Sequence, residues 1–128
     1  GLLEGNVTQW HENKAKSYQA TYKDGFPVGK VEAWVADGTR EYIEEYDQDG
    51  TPIRIITYKP DGTESGRVDD ANPDGTLTYY HKNGKKKRER IYKGGLAGSY
   101  TEKKWDEGGN LIPSAPDSGG KIPPPGTP

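Results

Sequence analysis

No cysteine and no methionine occur among the 128 residues, and phenylalanine occurs once. Without cysteine there is no disulfide, no thiolate metal site and no cysteine nucleophile. Hydrophobic residues reach only 29%, well below the usual globular share, so a thick core cannot be filled. No run approaches the roughly 20 apolar residues of a membrane-spanning helix. The chain opens at Gly1 without an initiator Met, from which processing or truncation is expected. A signal peptide or lipid-carrying segment would then lie upstream.

What the chain does have is aromatic side chains with a polar tip, nine Tyr and three Trp. Such residues suit a structure that is buried on one side and wet on the other. They also keep a beat. Trp10, Tyr22, Trp34, Tyr46 and Tyr58 are spaced by twelve; the beat fails at Asp70 and resumes at Tyr80, Tyr92 and, one residue late, Trp105. After most of them comes a short polar segment ending in glycine, as in "VADG", "DQDG", "KPDG" and "HKNG". Only "HENK", after Trp10, lacks the glycine. Pro and Asp preset the first positions of a type I turn, and the glycine supplies the left-handed residue that closes a short hairpin. The intervening segments, such as "TREYIEEY" and "TPIRIITY", are rich in Tyr, Ile and Thr and lack helical periodicity.

The expected fold is therefore all-β: a single-layer antiparallel meander of repeated hairpins, eight or nine strands, over residues 5–112. Period-two alternation would put the twelve-residue aromatics on one face with Tyr18, Ala20, Ala36, Tyr42 and Ile56. Val31, Val35, Ile43, Ile53, Ile55, Leu77, Tyr79 and Ile91 would lie on the other. Residues 63–73, with Val68 their only apolar member, form the weak link, expected to be a short or bulged strand or a loop. Residues 113–128 are rich in Pro, Gly and Ser and are expected to be a disordered tail with polyproline character.

Catalytic and metal chemistry find little to stand on. Glu41, Glu44, Glu45, Asp47 and Asp49 crowd together, but on a strand Glu44 and Glu45 point to opposite faces and cannot flank one bond. "DQDG" shares the opening of a calcium loop, yet the later ligand positions are missing and "DG" recurs at turn after turn, ending at Gly25, Gly38, Gly50, Gly62 and Gly75. His11 and His81 stand seventy residues apart with no nucleophile near; His81 is expected to be a packing residue. The expectation is a protein that is not an enzyme and needs no metal or cofactor. Charge is segregated: residues 1–75 carry 8 basic against 15 acidic side chains, a balance of −7, and residues 76–128 carry 10 against 5, a balance of +5. That polarity could orient a charged protein partner. "KNGKKKRER" is the one basic run, and alternation makes Lys86, Arg88 and Arg90 a stripe separate from Lys85 and Lys87. With a pI near 5.7, nucleic acid is not the expected partner. Charges guarding a strand edge explain the run more simply, with an anionic lipid surface as the functional alternative.

The paired half-repeats in "YYHKNGKKKRERIYKGGLAGSYTEKKW" (79–105) and "WVADGTREYIEEYDQDGTPI" (34–53) resemble the variant MORN repeat, with the resemblance running over roughly residues 8–110. Bacterial proteins built from this repeat include antitoxins and immunity proteins, and the repeated residues are structural rather than catalytic. The resemblance implies a non-catalytic module that binds a cognate toxin and covers its active site. Trp34, Tyr46, Tyr58, Tyr80 and Tyr92 would be its anchors and Glu41, Glu44 and Glu45 its steering charges. An exported, periplasmic location, with or without a lipid anchor, would suit that role better than a cytoplasmic one. The alternative is a scaffold on anionic membranes using Lys85, Lys86, Lys87, Arg88 and Arg90. Membrane contact would come only through that stripe or an upstream anchor.

Overall fold

A computed structural model describes residues 4–113; the expected Pro-rich tail beyond Pro113 lies outside the described residues. Ten strands follow one another: β1 (Gly5–Trp10), β2 (Lys16–Lys23), β3 (Phe26–Trp34), β4 (Arg40–Tyr46), β5 (Pro52–Tyr58), β6 (Glu64–Val68), β7 (Thr76–Tyr80), β8 (Lys86–Lys93), β9 (Ser99–Trp105) and β10 (Leu111–Ile112). The meander is all-β and antiparallel as expected, but it is divided. β1 to β6 form one sheet in chain order, and β7 to β10 form a second.

Six hairpins share one turn. In residues 11–15, 35–39, 47–51, 59–63, 81–85 and 106–110, the first N–H donates to the fifth carbonyl and the fourth N–H to the first carbonyl. The fourth residue is left-handed: Gly38, Gly50, Gly62, Gly84 and Gly109 in five of them, and Lys14 (φ 71°) in the turn that lacks glycine. Asp24 (φ 53°) and Gly25 (φ 85°) form a tighter two-residue turn with both angles positive, which matches the strand twist.

Behind the shared turn comes a shared bulge. In five hairpins one residue of the returning strand is unpaired: Ser17, Glu41, Ile53, Ser65 and Lys87. Each stands seven places after an aromatic of the beat. The extra residue shifts the alternation by one, so a twelve-residue step changes face. Tyr18, Ala20, Tyr22, Val31, Tyr42, Tyr46 and Ile55 lie on the face turned toward the second sheet. Trp34 pairs with Arg40, and Tyr58 lies under Arg40 at 5.8 Å, on the opposite face. The expected single-face aromatic ladder is thus corrected to a 24-residue period with aromatics on alternate faces. Val31, Ile55, Leu77 and Tyr79 move to the inner side, and Ile56 to the outer, where it pairs with Ile43.

The expected weak link is where the sheet ends. β6 is a real strand, but Asp69 and Asn72 close a tight loop and the chain leaves the sheet. β7 then crosses β6 so closely that side chains are excluded. A Cβ on Gly66 would collide with the Thr76 carbonyl oxygen, and one on Gly75 with the Arg67 carbonyl oxygen. Ser65, from its bulge, donates to the Thr78 carbonyl (3.0 Å) across the crossing. The second sheet thereby folds back over the inner face, and Ile55, Val68, Leu77, Tyr79 and Tyr92 become one core. A side chain such as Leu77, fully enclosed, stabilises by about 1.5–3 kcal/mol.

Neighbouring turns at one end are fastened by an unforeseen pair of residues. His11 Nε2 donates to the Trp34 carbonyl (2.7 Å) and Asn13 Nδ2 to the Ala36 carbonyl (2.8 Å). His81 and Asn83 repeat this on the Trp105 and Glu107 carbonyls at 2.8 and 2.7 Å. Asn13 and Asn83 also accept from the N–H two residues on, the same task that Asp37 and Asp61 perform in their turns. Only an amide can do both, which explains Asn rather than Asp at these two positions.

Asn83→Asp should keep the turn and lose the fastening, costing about 1 kcal/mol in urea denaturation, whereas Asp61→Asn should be near neutral. Gly66→Ala should cost about 3 kcal/mol, because the added methyl meets backbone rather than a mobile side chain. Equal, small effects at both sites in the same experiment would contradict the crossing.

Candidate functional site

Two faces and one end compete as sites. The outer face of the first sheet is consumed by ion pairs. Glu32 is held by Arg40 (2.8 Å) and Lys30 (3.5 Å), Glu45 by Arg54 (2.8 Å), and Arg67 bridges Glu64 (2.7 Å) and Asp69 (3.5 Å). Glu45, expected to steer a partner, is therefore engaged within the sheet.

The inner face holds the other expected charges. Glu44 accepts from the Tyr46 hydroxyl (2.9 Å) and sits in the field of Arg90 and Arg88 from the opposite sheet. Burial nevertheless dominates and pushes its carboxyl above the usual range, with the Tyr46 bond and the two arginines opposing. Arg88 lies over the Tyr79 ring at 4.4 Å, and Arg90 lies over Tyr100 at 4.8 Å and donates to Glu102 at 2.6 Å. The expected basic stripe does not form. Arg88 and Arg90 turn inward, Lys87 occupies the bulge, and Lys86 falls on the outer side against Trp105 (5.7 Å). Glu44 and Glu45 are on opposite faces as expected. Tyr46 and Tyr92 are buried, 5% and 2% exposed, and cannot anchor a partner directly.

The end formed by the turns after β3, β5 and β7 is different. Here the second sheet's β7–β8 turn approaches the first sheet without closing on it. A groove of about 610 Å³ runs between them, with Tyr18, Trp34, Tyr42 and Tyr80 among its walls. Three of the bulge residues, Ser17, Glu41 and Lys87, also reach it. Beside it a smaller hollow of about 200 Å³ is bounded by Arg40, Tyr58, Tyr80 and His81, with Glu41 shared. Trp34, Glu41, Tyr58 and Tyr80, far apart in sequence, are thus brought to one place. The four groove aromatics are half-buried, so each presents part of a ring to solvent. Burial pushes the Tyr18 and Tyr42 hydroxyls up, so both stay protonated donors at neutral pH. Sequence reasoning found four of these residues but missed Tyr18 and Tyr42 as lining groups and Ser17 and Lys87 as bulges. The signal was the constant seven-residue offset from five aromatics of the beat, Trp10, Trp34, Tyr46, Tyr58 and Tyr80.

Residues 35–78 match a family described as a protein of unknown function (DUF2963), and residues 73–93 match the MORN repeat variant. The MORN match covers β7 and β8 and overlaps the stretch 79–105; the stretch 34–53 falls almost wholly in the other family's span. No curated protein and no solved structure matches the chain. A MORN repeat suggests a protein-binding or membrane-associated module.

The raised Glu44 carboxyl sets a pH dependence whose sign is fixed. Below its unfolded value, about 4.3, both states are protonated and nothing is lost. As pH climbs through the higher folded value, the folded state must ionise a desolvated group, and stability falls. The stability of the native protein minus that of Glu44→Gln should therefore decline as pH rises from about 4 to neutrality. A difference that grows over that range would mean the arginines outweigh burial.

Proposed function

We propose that this chain is a non-catalytic protein-binding module whose contact surface is the aromatic groove together with the hollow beside it, at the β3, β5 and β7 turns. The observation that carries the reading is the convergence of Trp34, Glu41, Tyr58 and Tyr80 there. Partly exposed Tyr and Trp set in a concave site, with a charge at the rim, is the composition of an interface hot spot. Tyr46, Glu44 and Glu45 are spoken for by the fold.

Within that reading, the resemblance to variant-repeat antitoxins makes a toxin the proposed partner, its active-site mouth covered by the groove end. No residue of the protein needs to do chemistry for this. An exported location follows only if the toxin is delivered from outside, and it belongs to the same proposal. The second reading, a module on anionic membranes, rests on Lys82, Lys85, Lys86 and Lys87, all exposed around one turn. It requires salt-sensitive binding to anionic vesicles that fails when these lysines become Glu.

The experiment is calorimetry with a toxin encoded beside the gene, together with survival of cells challenged by that toxin. Tyr58→Ala and Tyr80→Ala should each weaken binding by roughly 2 kcal/mol or more, while Glu41→Lys should mainly slow association. A neighbouring toxin that neither binds nor is neutralised removes the antitoxin role. Binding untouched by both tyrosine changes removes this surface.

A further inference from the structure

Four aromatic side chains from β2, β3, β4 and β7 edge one open groove, and such a surface suits one ligand geometry particularly well. A polyproline segment is an extended left-handed helix with three residues per turn, rigid before it binds, and it docks into aromatic-lined grooves. The sequence carries a proline run of its own, Pro123, Pro124 and Pro125, preceded by Lys121 and Ile122. We propose that this segment is a ligand of the groove, folding back so that the prolines lie against Tyr18, Trp34, Tyr42 and Tyr80, with Lys121 facing Glu41.

The tether permits it. Leu111 pairs with Trp105, whose carbonyl is held by His81, and Asn83 is bonded to Glu107 in the same pair of turns. Both His81 and Glu107 line the groove. The chain therefore leaves the second sheet beside the groove. Nine residue steps separate Pro113 from Ile122, a reach of about 28 Å at polyproline rise. A short tether also gives a local concentration on the order of millimolar, so a weak contact suffices. The groove carries Glu41 and Glu107 against Lys82 and Lys87, so its charges balance, and Lys121 has to meet Glu41 rather than an acidic surface. The inference is independent of the antitoxin reading, since a tail can fill the groove whatever partner displaces it.

The chain has no cysteine, so Thr127→Cys carries a single spin label on the otherwise complete protein. Paramagnetic broadening of amide signals should concentrate on Trp34, Glu41, Tyr42 and Tyr80, and leave β9 and the β4–β5 turn sharp. Replacing Pro123, Pro124 and Pro125 by Ser in the labelled protein should abolish the localised broadening. That change touches none of the described strands, and retained circular dichroism shows the fold is intact. Tyr80→Ala should have the same effect. A free peptide of residues 119–128 should displace the tail only at concentrations on the order of millimolar. Uniform broadening, or broadening that survives the proline changes, overturns the proposal. So does broadening seen only when labelled chains are mixed with unlabelled isotope-enriched ones, because the tail would then occupy a second copy.

Discussion

The crossing of β6 over β7, backbone against backbone at Gly66 and Gly75, is the constraint on which the rest of the molecule depends. A chain with so few apolar residues cannot give a single sheet two dry faces. By leaving the sheet at Asp69 and laying β7 against β5 and β6, it lets one inner face be covered twice, once from each side. Val68 and Leu77, both fully enclosed, meet only because two glycines let the strands approach. Thr57, also fully enclosed, bonds Ser65 (2.8 Å) and receives the Thr78 N–H (3.3 Å), so the polar atoms at the crossing are satisfied.

The division of charge follows the division of sheets. The acidic half of the sequence builds β1 to β6 and the basic half builds β7 to β10. Part of that polarity is internal: Arg88 and Arg90 look across at Glu44, and Arg90 is fixed by Glu102. Part is cancelled on the outer face by Glu32, Glu45, Glu64 and Asp69 with their arginines. Ion pairs of that exposure contribute little each, but they remove these groups from any partner's reach. What remains for an outside molecule is the set of charges at the turns, Glu41, Lys82 and Lys87 among them.

Strand identity, hairpin turns and the failing repeat near Asp70 were legible in the sequence, because each has a local cause: a left-handed glycine, an Asp or Asn in the turn, a missing aromatic. Faces were not legible. Alternation counts residues, and one unpaired residue in each of five hairpins defeats the count. Glu41 illustrates this, since strict alternation would separate it from Tyr42 and Tyr80, whereas the bulge turns it into the groove with them. Lys87 does the same from the second sheet and breaks the expected basic stripe. The fastening by His11 with Asn13 and His81 with Asn83 was visible only as two copies of one spacing. Neither copy has meaning until the turn it bonds to is placed beside it.

These errors share an origin that bears on function. A bulge in five of the hairpins makes the aromatics of the repeat alternate between faces, and a meander makes them alternate between ends. One phase of the repeat, Tyr22, Tyr46 and Tyr92, therefore falls on the inner side at one end and supplies packing, with Tyr46 and Tyr92 buried. The other phase, Trp10, Trp34, Tyr58, Tyr80 and Trp105, collects beside the turns at the opposite end. There the rings stay partly exposed. Core and proposed contact surface are thus two phases of one sequence period. A repeat can change its contact surface by varying the residues of the second phase, together with bulge positions such as 17, 41 and 87, while leaving the first phase to hold the fold.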